Sequence, residues 1–422
     1  VAKAYVAEAV NRIVDNAVQV CGGTGVSGDG PLARLMNEMR PFRIYDGPTE
    51  THLWSIARRQ LRARAARPRG SDRRAVNDAD LAELAPAEPL EAYLDGLGIG
   101  GGAARIETIG DGHSNLTFLV EREGARVVLR RPPRGPLPPS AHDVVREARL
   151  LSALRPHGTP VLGTCEDDSV IGAPFYVMEW VDGHVLTEER LAGLVGEAEA
   201  IAERLVDGLV ELHAVDAGAE GLAGFGRPDG YLVRQLKRFG GLYETNATRP
   251  LPDLEAVADW LGANLPDSPP STVVHGDYRL GNVMIAPSPT RLAAILDWEM
   301  ATIGDPLADL GYLTAMWSES SDPPNPVSDL SSVTRGAGFP GRDFLTARYA
   351  EQTDRSLDAL PWYQTLAIWK AAIFLEGSFG RFSAGHHRGP LLRQPGGQRP
   401  GARRVGLPAY RILSTSVRSS RL

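Results

Sequence analysis

The stretch VVHGDYRLGNVMIAP, Val273 to Pro287, followed by AAILDWE, Ala293 to Glu299, decides the reading of the whole chain. It carries Asp277 five residues ahead of Asn282, on a loop between two apolar runs of β-type character. Asp297 closes the second run, fifteen residues beyond Asn282. Two carboxylates and an amide at this spacing suit phosphoryl transfer from a nucleotide. One carboxylate orients the attacking hydroxyl, while an Asn oxygen and a second carboxylate hold Mg²⁺ against the triphosphate. These residues speak to chemistry far more than to substrate.

Composition narrows the rest. A chain of 422 residues has room for about two or three domains, and 43% apolar with 23% charged residues is ordinary for a soluble globular protein. A net charge of −7 argues against a general nucleic-acid binder. Cys21 and Cys165 lie far apart and offer neither a disulfide framework nor a zinc spacing, which fits a reducing cytoplasm. No uninterrupted apolar run reaches the roughly 20 residues of a membrane span; Thr365–Leu375 is broken by Lys370 and closed by Glu376. The first residues have no basic segment followed by an apolar one, so no secretory signal is expected. The expectation is a cytoplasmic protein with neither membrane nor nucleic acid among its partners.

Toward the N-terminus, residues 1–65 read as a helical unit. Val6, Val10, Ile13, Val14, Ala17 and Val18 recur at helical spacing, so Ala2–Val20 is expected as an amphipathic helix that stops at Gly22-Gly23. Two more helical patterns run from Pro31 to Met39 and from Thr49 to Arg64. Gly23-x-Gly25-x-x-Gly28 matches the dinucleotide fingerprint by letter, but a helix precedes it where the fingerprint needs a strand. Residues 66–88 shift to Arg, Asp, Ala and Pro and read as a linker.

From Pro89 the pattern changes. A short helix, Pro89–Leu94, leads into strand-like runs at 105–110, Leu116–Val120 and Ala125–Arg130, a plausible nucleotide-binding β-lobe. The turn containing Gly110, Gly112, Ser114 and Asn115 is able to lay backbone N–H groups over phosphates, and equally able to close an ordinary hairpin. Arg130 ends the third run where a nucleotide site wants a cation, and Glu147 opens the next helix as its natural anchor. The usual cation is Lys; Arg keeps the charge in a planar fork, and Arg131 competes for the role. Farther on, Ala198–His213 places Ile201, Leu205, Leu209 and Leu212 on one helix face, with His213 as a helix-terminal residue rather than a ligand. Tyr231–Tyr243, Leu254–Leu265, Phe344–Thr353 and Trp362–Gly377 are further helices, and the Ser-, Asp- and Pro-rich Trp317–Pro340 reads as a mobile loop. After Gly377 come nine Arg and no acidic residue; 386–422 is a basic Gly/Pro/Arg-rich tail, expected to be disordered.

His275–Asn282 (HGDYRLGN), Ile295–Glu299 (ILDWE) and Gly304–Leu310 (GDPLADL) together resemble the aminoglycoside phosphotransferase and choline kinase-like family. The resemblance runs from Pro89 to Arg381. It implies an α+β, two-lobed protein-kinase-like fold, with a β-rich lobe and hinge over 89–181 and a helical lobe with the catalytic loop over 182–385. Asp277 then orients the acceptor hydroxyl and takes its proton, Asn282 and Asp297 hold Mg²⁺, His275 supports the loop and Asp309 braces it. Asp305 is read as a helix-start residue before Pro306. ATP falls to Arg130, Glu147, Gly110, Gly112, Ser114 and Asn115. Ala173–Gly183 resembles the interlobe hinge, where backbone groups around Glu179 and Val181 would bond adenine.

Gln19–Leu35 (QVCGGTGVSGDGPLARL) and Phe42–His52 (FRIYDGPTETH) resemble the C-terminal helical segment of flavin-dependent acyl-CoA dehydrogenases. This implies an all-α fragment in which Gln19, Gly22 and Gly23 face the FAD of a neighbouring subunit. Asp46 stands at the position of that family's catalytic base, where Glu is commoner. The segments that build the flavin and acyl-CoA pockets are absent from the resemblance, so FAD is expected only where the fragment docks to a complete dehydrogenase subunit. The two pieces together resemble a family joining this kinase type to an acyl-CoA dehydrogenase, in which the kinase phosphorylates a 4-hydroxyacyl-CoA. The expectation is therefore a Mg-ATP-dependent kinase of a hydroxylated small molecule, best matched by a hydroxyacyl-CoA. An aminoglycoside- or choline-type kinase, a non-catalytic nucleotide-binding module docked to an acyl-CoA dehydrogenase, and an FAD-dependent acyl-CoA dehydrogenase partner fragment are the alternatives.

Overall fold

The computed structural model describes residues 78–109, 115–134, 143–154, 158–187, 196–219, 221–286, 291–322, 333–336 and 338–383, together with Ala17. The chain divides into two compact units, and the described residues from 78 onward belong to the larger one. Gln19, Gly22, Gly23 and Asp46 of the dehydrogenase-like fragment lie outside the described residues, as do Gly110, Gly112, Ser114 and the tail after residue 383.

A five-stranded antiparallel sheet forms the first lobe. Its strands are β1 (Gly101–Ile109), β2 (Leu116–Glu123), β3 (Ala125–Arg131), β4 (Val161–Cys165) and β5 (Phe175–Glu179), in the order β1-β2-β3-β5-β4. Alternate residues of a strand face opposite sides, and here the two sides have different duties. Phe118, Val120, Val127, Leu129, Phe175 and Val177 pack under helices α1 (Asp78–Leu84) and α2 (Ala87–Gly96) in a core of their own. Tyr176, on the other face, belongs to the second lobe's core and stands opposite Arg130 in the β3–β5 register.

Residues 78–88, expected in a linker, are largely helical, and Leu84 and Ala85 are buried. The Leu84 carbonyl accepts from the Arg131 guanidinium. Averaged composition hides the few apolar residues that dock this segment onto the sheet.

The second lobe is mainly helical: α4 (Ala198–His213), α5 (Tyr231–Asn246), α6 (Pro252–Ala263), α7 (Leu307–Met316), α8 (Arg342–Glu351) and α9 (Leu360–Ser383), with α3 (Val144–Ala153) preceding β4. Ile201, Leu205, Leu209 and Leu212 of α4 are fully buried, as an apolar stripe at helical spacing requires. The ends of the expected mobile loop are pinned instead. Trp317 Nε1 donates to the Pro340 carbonyl at 2.9 Å, and Ser318 and Thr334 exchange hydrogen bonds at 2.8 Å. Helix α9 continues past Gly377 to Ser383. Two small antiparallel pairs, β6 (Thr272–Val274) with β9 (Thr302–Gly304) and β7 (Val283–Ile285) with β8 (Leu292–Ile295), carry the polar loops between them. No described helix is long and apolar enough to cross a membrane.

Candidate active site

Strand β6 delivers the chain to His275, and residues 275–282 loop across to β7. The fully buried Asp309, in the first turn of α7, receives the His275 N–H at 2.6 Å and the Gly276 N–H at 2.7 Å, one on each oxygen. Charge-assisted bonds of this kind are about twice as strong as neutral ones. Gly276 has φ 85°, and a Cβ there would lie 2.9 Å from the Met300 carbonyl oxygen, so the tight bend needs glycine. The His275 ring is buried against Trp298, with centroids 4.9 Å apart. Its Nε2 lies 2.9 Å from the Leu296 carbonyl, and its Nδ1 accepts the Asp277 N–H at 3.2 Å. Only the neutral Nε2–H tautomer satisfies both neighbours.

This frame presents Asp277. Asn282 Nδ2 donates to the Asp277 carbonyl at 2.9 Å and to its Oδ2 at 2.6 Å. With both amide hydrogens so engaged, the Asn282 amide oxygen is the end left to a cation. Asp277 Oδ1 is enclosed and has no hydrogen-bond partner among the described residues; Arg279 Nε stands 3.5 Å away without forming one. Leu296 N–H donates to the Asn282 carbonyl at 2.8 Å and ties the ILDWE segment to the loop. Asp297 follows with φ 66°, the one non-glycine positive φ among the described residues. An Asp held in the left-handed region aims its carboxylate at some conformational cost, a common feature of functional sites.

The first lobe meets Asp297 through Arg130. Its guanidinium donates to Glu147 Oε2 at 3.1 Å and to Asp297 Oδ1 at 3.1 Å, with Thr117 Oγ1 at 3.5 Å. Glu147 is only 3% exposed, and Asn115 Nδ2 also reaches it at 3.4 Å. Burial works against the Arg130 charge, but Glu147, then Tyr176 and Asp297, hold its pKa above the usual value. Arg131 points the other way and donates to the Leu84, Ile171 and Pro132 carbonyls. Strand alternation thus separates the two arginines, which sequence alone left in competition. At the hinge, Glu179 N–H is already taken by the Pro160 carbonyl at 2.9 Å, and Val181 follows in the loop beyond β5.

Asp305 is buried ahead of α7. Its Oδ1 accepts the Leu307 N–H at 3.0 Å and its Oδ2 the Tyr363 hydroxyl at 2.6 Å. His213 ends α4 with Nδ1 2.8 Å from the Tyr349 hydroxyl and Nε2 3.5 Å from Asp309, and burial lowers its pKa. Three residues near Asp277 went unnoticed in the sequence: Arg279, Tyr312 and Lys370. The Tyr312 hydroxyl reaches the Asp277 carboxylate, and burial first, then that carboxylate, hold its pKa well above the phenol's usual value. One signal was available, since Tyr312 follows Asp309 by three residues and so shares its helix face.

Comparison with known proteins agrees with this architecture. Residues 105–369 match the phosphotransferase enzyme family, and residues 1–61 match the acyl-CoA dehydrogenase C-terminal domain. A solved Ralstonia eutropha structure, described as a candidate aminoglycoside phosphotransferase, is 30% identical. It superposes with a TM-score of 0.61, covering 72% of this chain and 92% of its own. Acyl-CoA dehydrogenase family member 10 of Mus musculus is 34% identical over 320 residues, and family member 11 of Gallus gallus is 41% identical over 297. These alignments cover 74% and 68% of this chain but 30% and 38% of the two relatives, so the chain spans well under half of either. The α+β kinase-like architecture and the long match over both lobes have one reading: the chain belongs to the phosphotransferase enzyme family.

Proposed function

We propose that the chain transfers the terminal phosphoryl group of Mg-ATP to a hydroxyl of a small molecule, with Asp277 orienting that hydroxyl and taking its proton. The observation that supports this most directly is the divided state of Asp277: Oδ2 is fixed by Asn282, and Oδ1 is enclosed without a donor. An unsatisfied buried acceptor costs about 1–3 kcal/mol. A hydroxyl arriving at Oδ1 removes that cost and is itself held for attack. Asp309 and His275 keep the loop from adjusting in any other way. The Asn282 amide oxygen and the Asp297 carboxylate are hard oxygen donors that fit Mg²⁺, whose remaining positions phosphates and water complete. The ion, when bound, offsets charge on the transferring group. Arg130, anchored by Glu147, serves the phosphates from above, and the Glu179 carbonyl and Val181 N–H serve adenine. Gly110, Gly112, Ser114 and Asn115 belong to the proposed phosphate turn.

For the acceptor, a hydroxyacyl-CoA is supported by the acyl-CoA dehydrogenase match over residues 1–61 and by the names of the relatives. In this reading residues 1–65 dock to a dehydrogenase subunit, which supplies any FAD, and the protein works in the cytoplasm. An aminoglycoside acceptor is suggested by the name of the Ralstonia structure. Against a polycation stand Arg279, 3.5 Å from Asp277, and the buried Lys370, on which the Asp277 charge acts. The test is Mg-ATP turnover against 4-hydroxyacyl-CoA, choline and an aminoglycoside, for wild type and Asp277→Ala. Phosphorylated acyl-CoA is expected, with a loss of about 10³-fold in the variant. Equal turnover by both proteins would remove Asp277 from the chemistry. Nucleotide binding without transfer to any acceptor would favour a non-catalytic module.

A further inference from the structure

Behind the catalytic loop the helical lobe borders a small, partly open pocket of about 10 Å³, lined by Gly276 of the loop, by Tyr231, Tyr312, Tyr363 and Lys370, and by apolar side chains of α7 and α9. That is room for one water molecule. Lys370 is 8% exposed, and its ammonium sits 4.6 Å from the Phe239 ring centroid. Among the described residues it has no hydrogen-bond acceptor. The residue type adds weight, because Lys370 is one of only three lysines, with Lys3 and Lys237, among 45 basic residues. An ammonium differs from a guanidinium as a compact point charge that fits a water-sized cavity.

A buried ammonium needs acceptors, and it can only donate. A water in this cavity must therefore take its hydrogen bond from Lys370 and turn its own hydrogens outward. Tyr312 lines the same pocket, and its hydroxyl interacts with the Asp277 carboxylate. If Tyr312 accepts from the water, its single proton has one useful direction, toward the Asp277 carboxylate. We propose that Lys370 is a positioning residue for Asp277: through the cavity water and Tyr312 it sets the direction of a hydrogen-bond chain that ends on the carboxylate. This rests on the reading of Asp277 as the group that orients the acceptor hydroxyl.

The groups bearing on Lys370 come from every neighbouring element. Tyr231 and Arg238 are on α5, Asp309 and Tyr312 on α7, Asp277 on the loop, and Tyr363 on α9 itself. Burial lowers the Lys370 pKa to about 8; Asp309 opposes the shift, Arg238 adds to it and Asp277 opposes it. The chain's direction should therefore be lost as pH rises through that value.

Three lysines make the test direct. In protein labelled with ¹³C-lysine, the Lys370 Cε resonance is the one missing from Lys370→Met. It is expected to titrate with a midpoint near 8, and lower still in Asp277→Asn. In turnover, Lys370→Met and Tyr312→Phe should each keep ATP affinity and lose about tenfold in kcat, the worth of one hydrogen bond. The double variant should lose no more than either single one, since both break the same chain. The alkaline limb of the kcat–pH profile near 8 should vanish in Lys370→Met. A Lys370 midpoint that ignores Asp277→Asn overturns the proposal, as do additive losses or a Lys370→Met enzyme with wild-type kcat and pH profile. If the wild type phosphorylates no acceptor while the midpoint still moves, the functional reading fails and the coupling stands.

Discussion

The two halves of the site are held in opposite ways. On the nucleotide side, Arg130 spreads its guanidinium over Glu147 and Asp297 at 3.1 Å each, so a buried cation and a buried anion are both satisfied. On the acceptor side, the enclosed Asp277 Oδ1 and the Lys370 ammonium have no hydrogen-bond partner among the described residues. The first half is stable as it stands, and on the proposed reading a nucleotide would have to draw Arg130 off Asp297 to use either group. The second carries an unmet desolvation cost that an arriving hydroxyl or water relieves. Removing a residue from the paired half should therefore harm folding, and removing one from the unpaired half should harm turnover while sparing the fold.

Asp277→Ala gives the largest effect. Transfer should fall about 10³-fold, or about 4 kcal/mol in the barrier, while the thermal midpoint holds or rises because a poorly satisfied carboxylate has gone. A clear drop in the melting temperature would break the comparison, since Asp277 would then be part of the scaffold. Arg130→Met should show the reverse emphasis. It strands Glu147, 3% exposed, without its cation, and a buried charge left unpaired costs about 3 kcal/mol or more in stability. Arg130→Lys restores a charge but not a fork that reaches two carboxylates at once. Chemical denaturation should place it between wild type and Arg130→Met; equal stability of all three would mean that the ion pairs contribute nothing net.

This division also explains what the sequence made legible. His275, Asp277, Asn282, Asp297 and Asp309 stand out because the loop's job demands specific polar residues at short spacing, and the structure gathers them through contacts such as Asp309 to the His275 and Gly276 N–H groups. The choice between Arg130 and Arg131 needed the strand register, which opposes Arg130 to Tyr176 and turns Arg131 to the Leu84 carbonyl. Lys370 was invisible as anything but an interruption of an apolar run, because its meaning depends on α5, α7 and the loop meeting around one cavity. Composition misled twice in the same manner. Residues 78–88 and the ends of the 317–340 segment look like solvent-facing connections, yet Leu84, Trp317 and Thr334 are buried. A few anchoring residues decide such segments, and averages over a window conceal them.

The smallest effect is the most specific to the unpaired half. The Lys370 pKa is about 8 in the folded chain against 10.5 for an ordinary lysine. Between these values the unfolded chain binds the proton and the folded chain has released it, so unfolding takes up a proton and stability rises with pH. Below pH 8 both states are protonated and the full penalty of burying the charge applies. From pH 8 to 9.5 the wild type should gain about 2 kcal/mol relative to Lys370→Met, whose curve lacks this rise. Urea denaturation of the two proteins across that range isolates the contribution, because tyrosines and other titrating groups are common to both. Parallel curves would mean that Lys370 already has a partner in solution, and the acceptor side would then be as fully paired as the nucleotide side.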